Sequence, residues 1–403
     1  MKSSDLNAKS KDRGNRFCSD VSVDRCALVC SRFSKHFLSL GVGAVFHPLY
    51  YSKVLIQLGY EPLPLHRSKS YIILGSDVYF LPNVFKYIRH IKQQDGITGL
   101  YTGVGASLCN NFLGLGVSIA ALDYLNEKFP DEVLTDDRLK SETSSQAYCR
   151  FVKKLSKETA SKAIGIIAAR PLQVIVIRRM AQFVGGETLY VSTISSLTTI
   201  YREEGFRGLF SGLVPQLVGE MMILWITSSL MFAFDRYWRI YYNEPLRIED
   251  DIEDDESIVS VVKPSKTWKQ LAHFAIPYVV NSIFYPFQLV STTMAVNGTN
   301  LKVGQMPFIP IFMHWQDCWN YLAKEKQLKR GSKLFMRNYV GPIDYKNGQI
   351  YARAPKYESA RGNKPYDVFI GILSNLQEMG ISAVNKTKTT WQTIANFSLS
   401  VIR

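Results

Sequence analysis

Histidine and cysteine are scarce in this chain, which has six of each among its 403 residues. No two cysteines have the CxxC spacing and no cluster of histidines accompanies them, so a zinc site is not predicted. We expect free thiols in a reducing compartment. The sequence also has no nucleophile paired with a base, no phosphate-binding glycine loop and no metal-binding motif. We therefore predict neither an enzyme nor a cofactor.

An apolar signal region is also missing near the N-terminus. Residues 1–20 mix lysine and arginine with three aspartates, which disfavours a secretory signal and a cleaved mitochondrial presequence. The net charge of +14 could suit nucleic acid, a membrane surface or an acidic substrate. The basic residues are scattered and no nucleic-acid-binding motif is present, so nucleic acid is not an expected partner.

An internal repeat organises the sequence. In two copies, an acidic residue and a glycine are followed at fixed spacings by two further glycines and then by an apolar run; we call the last of the three the closing glycine. A short amphipathic helix is predicted before each copy, over 83–94 and 193–203, and a third over 314–323. Three prolines recur at intervals that are too long for a solenoid and indicate a tripled helix-pair module. The repeat residues are Pro48, Asp95, Gly96, Gly103, Pro171, Glu204, Gly205, Gly212 and Pro286.

Five segments are candidate membrane spans. They cover residues 33–57, 104–125, 158–183, 213–234 and 268–296. Threefold repetition predicts six spans, yet no further apolar stretch of about 20 residues follows Gly331. The predicted fold class is an all-α membrane protein of three helix-pair repeats in which the sixth transmembrane helix is missing.

The domain organisation follows from these segments. We predict a polar N-terminal arm (1–31), a first repeat (32–126), a linker (127–156), a second repeat (157–237), an acidic loop (238–267), an incomplete third repeat (268–340) and a polar C-terminal tail (341–403). Within the first repeat, the proline-containing segment 61–82 is predicted to be a loop.

Polar residues recur at matching positions inside the apolar spans. The fourth, eighth and fifteenth residues after the closing glycine are polar in both the second and the fourth span. Such steps keep side chains on one face of a helix, and in a membrane that face meets a partner helix or a wet cavity. We predict a groove lined by Lys53, Asn111, Lys162, Arg170, Gln216, Glu220, Asn281 and Gln288. The alternative for the charged members is a buried ion pair or a charge that reaches the membrane interface.

The repeat resembles the signature of the mitochondrial carrier family, which has Pro-x-acid-x-x-base on each odd-numbered helix and an acid-Gly motif after it. Carriers close a gate with these acid–base pairs. Here the corresponding pairs are Tyr50/Lys53, Gln173/Val176 and Gln288/Ser291. The sequence is more similar to the mitochondrial carrier homologue subfamily of the outer membrane, on the stretches HPLYYSKVLIQLGYEPLP, IYREEGFRGLFSGLVPQLVGE and YPFQLVSTTMAVN.

The resemblance implies a multi-pass protein of the mitochondrial outer membrane that inserts α-helical proteins, including tail-anchored ones. Its partners would be the lipid bilayer, client α-helical membrane proteins and pro-apoptotic factors that it recruits. A missing sixth helix would open the polar groove sideways to lipid. The alternatives are a mitochondrial solute carrier, and an outer-membrane receptor or scaffold without insertase activity.

Overall fold

The computed structural model describes residues 41–69, 77–130, 144–242, 264–305, 309–346 and 348–352. Its contacts divide the chain into two units, residues 1–48 and residues 49–403. The second unit is mostly helical and also contains two small antiparallel sheets. The predicted polar arm and the acidic run at 249–256 lie outside the described residues.

The helices follow one another in the order that the repeat predicts. The helices are α1 (His47–Gln57), α2 (Val84–Gly99), α3 (Val104–Lys128), α4 (Ser144–Ala181), α5 (Thr193–Leu209), α6 (Leu213–Tyr242), α7 (Pro264–Val296) and α8 (Trp315–Lys324). Short 3-10 turns cover Gln182–Val184 and Lys302–Gly304. All three predicted amphipathic helices are present as α2, α5 and α8, and Pro171 and Pro286 lie inside α4 and α7.

Among the described residues, three helices are long and apolar enough to cross a membrane. They are Val104–Lys128, Ser145–Val184 and Leu213–Trp238. The first and the third have only 6% of their most apolar window buried inside the protein, as expected for helices surrounded by lipid. The 33-residue α7 is long enough to span but is not among the three. Five spans and a missing sixth helix therefore stay a prediction, and residues 33–40 and 353–403 lie outside the described ranges.

Two predicted boundaries differ from the structure at α3 and α4. The linker was predicted over 127–156, but α3 continues to Lys128 and α4 begins at Ser144. The first turns of α4 contain Gln146, Ala147 and Arg150, which have good helix propensity. Polarity alone, on which the linker prediction depended, does not separate an exposed helix from a loop.

Strands occupy segments in which no regular structure was predicted. In the first sheet, β1 (His66–Lys69) and β3 (Arg337–Tyr339) flank β2 (Asp77–Leu81), with Tyr79 opposite Tyr339. A hairpin of β4 (Ile343–Lys346) and β5 (Gln349–Ala352) follows. The fold is therefore mostly helical rather than all-α. The segment 61–82 is not all loop, and residues 341–352 of the predicted tail contain strands.

The glycine after each motif acid breaks the short helix. Gly96 has φ 73° and ψ −169°, and Gly205 has φ 67° and ψ −160°. Only glycine adopts this region readily, because a Cβ atom would clash with the backbone. The same kink therefore forms in both copies, and the chain turns there toward the following span.

Each closing glycine packs against the first helix of another module, and so does Gly331, which we take as the third closing glycine because it follows the third short helix. The contacting pairs are Gly103 with Val176 in α4, Gly212 with Ser291 in α7, and Gly331 with Gln57 in α1. The three glycines have φ values of 83°, 70° and 79°. The three modules thus form a closed ring of contacts through these glycines. The core lies at the C-terminal halves of α1, α4 and α7, where Leu55, Ile177 and Leu289 are buried, and Trp319 of α8 belongs to the same core.

We expect Gly212→Ala to lower stability substantially, because a Cβ at this position would lie 2.5 Å from the carbonyl oxygen of Ser291. The positive φ alone costs about 1–2 kcal/mol for a non-glycine residue. Gly298→Ala is the control for φ, since Gly298 has φ +69° and open space around it. The midpoint of thermal unfolding in detergent should fall much further for the first variant. Equal losses in the two variants would contradict the packing argument.

Candidate functional site

A cavity of about 390 Å³ lies between α1, α4, α6 and α7. Five of the eight residues predicted to line a groove line this cavity: Lys53, Gln216, Glu220, Asn281 and Gln288. Further lining residues are Tyr50, Gln57, Gln173, Tyr278, Tyr285, Ser291, Thr292 and Ser332. The cavity wall is therefore rich in amide and hydroxyl groups, which can accept and donate hydrogen bonds.

Arg170 lies next to the cavity and connects helices α4, α6 and α7. Its Nε donates to the carbonyl oxygen of Ser211 at 2.9 Å, and its Nη1 donates to Gln216 Oε1 at 2.5 Å and to Ser291 Oγ at 3.0 Å. The side chain is fully buried, and these acceptors are neutral. Buried polar groups need such partners, so Arg170 is a structural connection rather than an exposed groove residue.

Glu220 and Lys162 form an ion pair at the edge of the cavity. Lys162 Nζ lies 2.9 Å from Glu220 Oε2, and both side chains are a little more than a third exposed, at 38% and 36%. The two predicted groove residues are thus paired with each other, although the pair is partly exposed and is not the buried ion pair that the sequence left open as an alternative. Glu220 lines the cavity, whereas Lys162 contacts it only through this pair.

Lys53 has neutral neighbours. Its Nζ lies 3.4 Å from Gln288 Oε1 and 5.4 Å from the centroid of the Tyr285 ring. Gln288 occupies the acidic position of the third carrier signature, so a weak polar contact stands where carriers have a charged pair. Within the part of the chain that the structure describes, the Lys53 ammonium has no carboxylate partner.

Asn111 lies apart from the cavity. It is exposed on α3, and its Oδ1 accepts a hydrogen bond from Asn110 Nδ2 at 3.3 Å. The prediction of a shared groove assumed that matching positions in α3 and α6 face the same space. Instead α3 packs closely on α4, where a Cβ on Gly114 would lie 3.1 Å from Ala169 Cβ. Small residues allow such close helix packing, which directs Asn111 away from the cavity.

The sequence analysis did not identify a hydrogen-bond network at the end of α1. Gln57 Nε2 donates to the Tyr285 hydroxyl at 2.9 Å, and that hydroxyl donates to the Arg330 carbonyl at 2.8 Å. The Arg330 guanidinium in turn donates to the Gln57 carbonyl at 2.9 Å. The partners come from the first and third repeats, so no local sequence pattern reports their proximity.

The sequence analysis also did not identify an ion pair between Arg178 and Glu204, the acid of the second repeat motif. Arg178 donates to both carboxylate oxygens of Glu204, at 2.6 and 2.8 Å, and to the Ala295 carbonyl at 2.9 Å. The acid of the second repeat motif therefore neutralises a buried arginine on α4. The recurrence of an acid before Gly205 was the sequence signal for this contact, but its partner could not be deduced from spacing.

Burial shifts the protonation equilibria of several groups outside the membrane-spanning helices. Burial raises the pKa of the Cys318 thiol and lowers the pKa of the Arg330 guanidinium. It also raises the pKa of the Glu61 carboxyl, and the nearby Arg337 opposes this rise. Cys109, Cys149 and Cys318 are free thiols, whereas Cys18, Cys26 and Cys30 lie outside the described residues.

The cavity is continuous with an exposed face of α7. Trp268, Leu271, Phe274 and Tyr278 recur every three or four residues along this helix and are exposed. Tyr278 also lines the cavity, as does Asn281 one turn later. The exposed face therefore changes from aromatic to polar as it enters the cavity.

Comparison with known proteins agrees with this architecture. The family model described as mitochondrial carrier protein matches residues 39–133 and 149–242. Mitochondrial carrier homolog 2 of Homo sapiens is 36% identical over 304 residues, which cover 75% of this chain and 93% of that protein. The chain belongs to the mitochondrial carrier family. This confirms the resemblance predicted from the repeat motifs.

Two other relatives within the family match this chain over different lengths. Mitochondrial carrier homolog 1 of Mus musculus is 34% identical over 310 residues, which cover 75% of this chain and 76% of that protein. Mitochondrial thiamine pyrophosphate carrier 1 of Neurospora crassa is 31% identical over 215 residues, covering 51% of this chain and 56% of that protein. Family membership and the apolar helices indicate a mitochondrial membrane protein.

The ion pairs Arg178–Glu204 and Lys162–Glu220 should differ in their contribution to the free energy of unfolding. Glu204→Ala leaves the fully buried Arg178 unpaired, which should cost about 3–5 kcal/mol. Glu220→Gln removes a pair that is more than a third exposed, which should cost no more than ~1 kcal/mol. Glu203→Ala is the control, since Glu203 is the exposed neighbour of Glu204. Unfolding in the same detergent measures all three. A loss for Glu220→Gln as large as for Glu204→Ala would contradict the assignment.

Proposed function

We propose that this protein inserts α-helical membrane proteins, including tail-anchored ones, into the mitochondrial outer membrane. The observation that carries the proposal is the polar cavity that runs onto an exposed face of α7. The resemblance to outer-membrane carrier homologues motivates the choice of membrane. The activity needs no catalytic group and no cofactor. Recruitment of pro-apoptotic factors stays a prediction of the resemblance.

The physical problem in insertion is to move a hydrophilic flank across hydrocarbon. A charged side chain at the centre of a bilayer costs about 2.5–3.5 kcal/mol on insertion scales. The amides of Gln216, Asn281 and Gln288 offer hydrogen-bond partners to such a flank while it crosses. Burial of the client's apolar helix in lipid is favourable, so no energy source has to be coupled to the step.

The second requirement is a lateral opening through which a client helix passes from the cavity into lipid. We propose that this opening lies at the third repeat. After Gly331 the described residues form turns and then β3, β4 and β5, whereas Gly103 and Gly212 lead directly into α3 and α6. We propose that the sixth-helix position next to α7 is open to lipid. The exposed aromatic face that ends at Tyr278 would then guide the client helix, and Asn281 would contact its polar flank.

A gated solute carrier is the second candidate, since a relative named as a thiamine pyrophosphate carrier is among the similar proteins. Against it, the signature positions form no charged pair, and Lys53 contacts the neutral Gln288 instead. Alternating access in carriers uses such pairs to close one side. A cavity without them favours a groove that stays open.

We predict that Glu220→Arg reduces integration of a tail-anchored client, because an added cation beside Lys162 repels basic client flanks. We predict that Lys53→Glu increases integration, because it removes a cavity cation that has no carboxylate partner among the described residues and adds an attractive charge. Integration is measured in mitochondria that lack the endogenous protein, with each variant at matched abundance. Glu127→Arg, an exposed change on α3 away from the cavity, is the control. Wild-type integration by both cavity variants would refute their assignment to the groove.

We also predict that purified protein in liposomes shows no saturable exchange of nucleotides, keto acids or amino acids above empty vesicles. The reason is the absence of charged pairs at Tyr50/Lys53, Gln173/Val176 and Gln288/Ser291. A nucleotide carrier reconstituted in parallel shows that the vesicles are tight and the assay is sensitive. Robust counter-exchange of any of these solutes would support the carrier alternative.

A further inference from the structure

The residues that follow the third closing glycine expose a small apolar patch. Phe335 and Met336 are 60% and 72% exposed, and Phe85 at the start of α2 is 59% exposed. The rings of Phe85 and Phe335 are 5.8 Å apart. We call Phe85, Phe335 and Met336 the interfacial patch. The neighbouring Lys86 and Lys333 are exposed as well.

Comparison of the three modules indicates how deep in the membrane this patch lies. Val104 and Leu213 directly follow their closing glycines and begin the apolar helices α3 and α6. Gly331 makes the equivalent contact, against the first helix of the ring. The residues just after Gly331 should therefore start at the depth at which α3 and α6 enter the bilayer.

The segment is held firmly at both ends. Arg330 donates to the Gln57 carbonyl at 2.9 Å, and the Val84 amide donates to the Leu334 carbonyl at 2.9 Å. Arg337, directly after Met336, forms an ion pair with Glu61 and is nearly buried. Rigid attachment on both sides means that the exposure of Phe335 and Met336 is imposed by the fold.

We propose that the interfacial patch is embedded in the lipid bilayer at the boundary between headgroups and acyl chains, on the side of the cavity that Ser332 lines. Apolar side chains flanked by lysines are typical of segments that bind this boundary. Ser332, three residues before Phe335, lines the cavity. After its closing glycine the third module thus reaches only the membrane boundary, whereas the first two modules continue into the spans α3 and α6. This contact fixes the depth of the cavity relative to the lipid surface.

Site-specific photocrosslinking in the full-length protein tests this placement. The photoreactive amino acid p-benzoylphenylalanine replaces Phe335, or Met336 in a second variant, and the protein is reconstituted into vesicles of phosphatidylcholine and phosphatidylethanolamine. Phe112, exposed on the membrane helix α3, is the positive control. Tyr148 is the negative control, because it lies in the polar start of the 38-residue α4. At ~1.5 Å per residue, α4 is far longer than the membrane core is thick.

Phospholipid adducts are detected by mass spectrometry after irradiation. We expect adducts at Phe335 and Met336 at a level near that of Phe112 and several-fold above that of Tyr148. Adduct levels as low as those of Tyr148 would overturn the proposal, and so would crosslinks only to a second copy of the protein. The insertase proposal does not depend on this outcome, since the readout needs no client.

Discussion

The close approach of each closing glycine to a helix of another module is the constraint on which this structure depends. A side chain at Gly212 would meet Ser291, and one at Gly331 would meet Gln57. Arginine side chains strengthen two of these junctions, since Arg170 and Arg330 donate to backbone carbonyl oxygens there. These contacts form at one end of the long helices, so the ring closes there. The rest of the helices can then surround a cavity.

The polar character of that cavity follows from the partners of the charged side chains in and around it. Arg170 is buried among neutral acceptors, and Glu220 is paired with Lys162. Lys53 faces Gln288 and Tyr285, so the signature positions of a carrier gate here form neutral contacts. A wall of amides and hydroxyls without a charged gate is well suited to solvate a moving polar segment. It is poorly suited to alternate between two closed states.

The sequence predicted the features that depend on local pattern or repetition. The three short helices and five cavity residues are where the sequence indicated. It did not predict contacts between distant segments. The strands are only three to five residues long, and β2 pairs with β3 across most of the chain. Asn111 shows the limit of repetition, because the packing of α3 on α4 turned an equivalent position away from the cavity.

Reconstitution of the purified full-length protein tests the central claim most directly. A tail-anchored client is presented to phospholipid vesicles that contain the protein and to matched empty vesicles. Integration is read as a protease-protected, carbonate-resistant fragment. A polar cavity open to lipid predicts that the protein alone raises integration well above empty vesicles, without nucleotide or membrane potential. Equal integration in both vesicle populations, with the protein shown to be folded, would contradict the account.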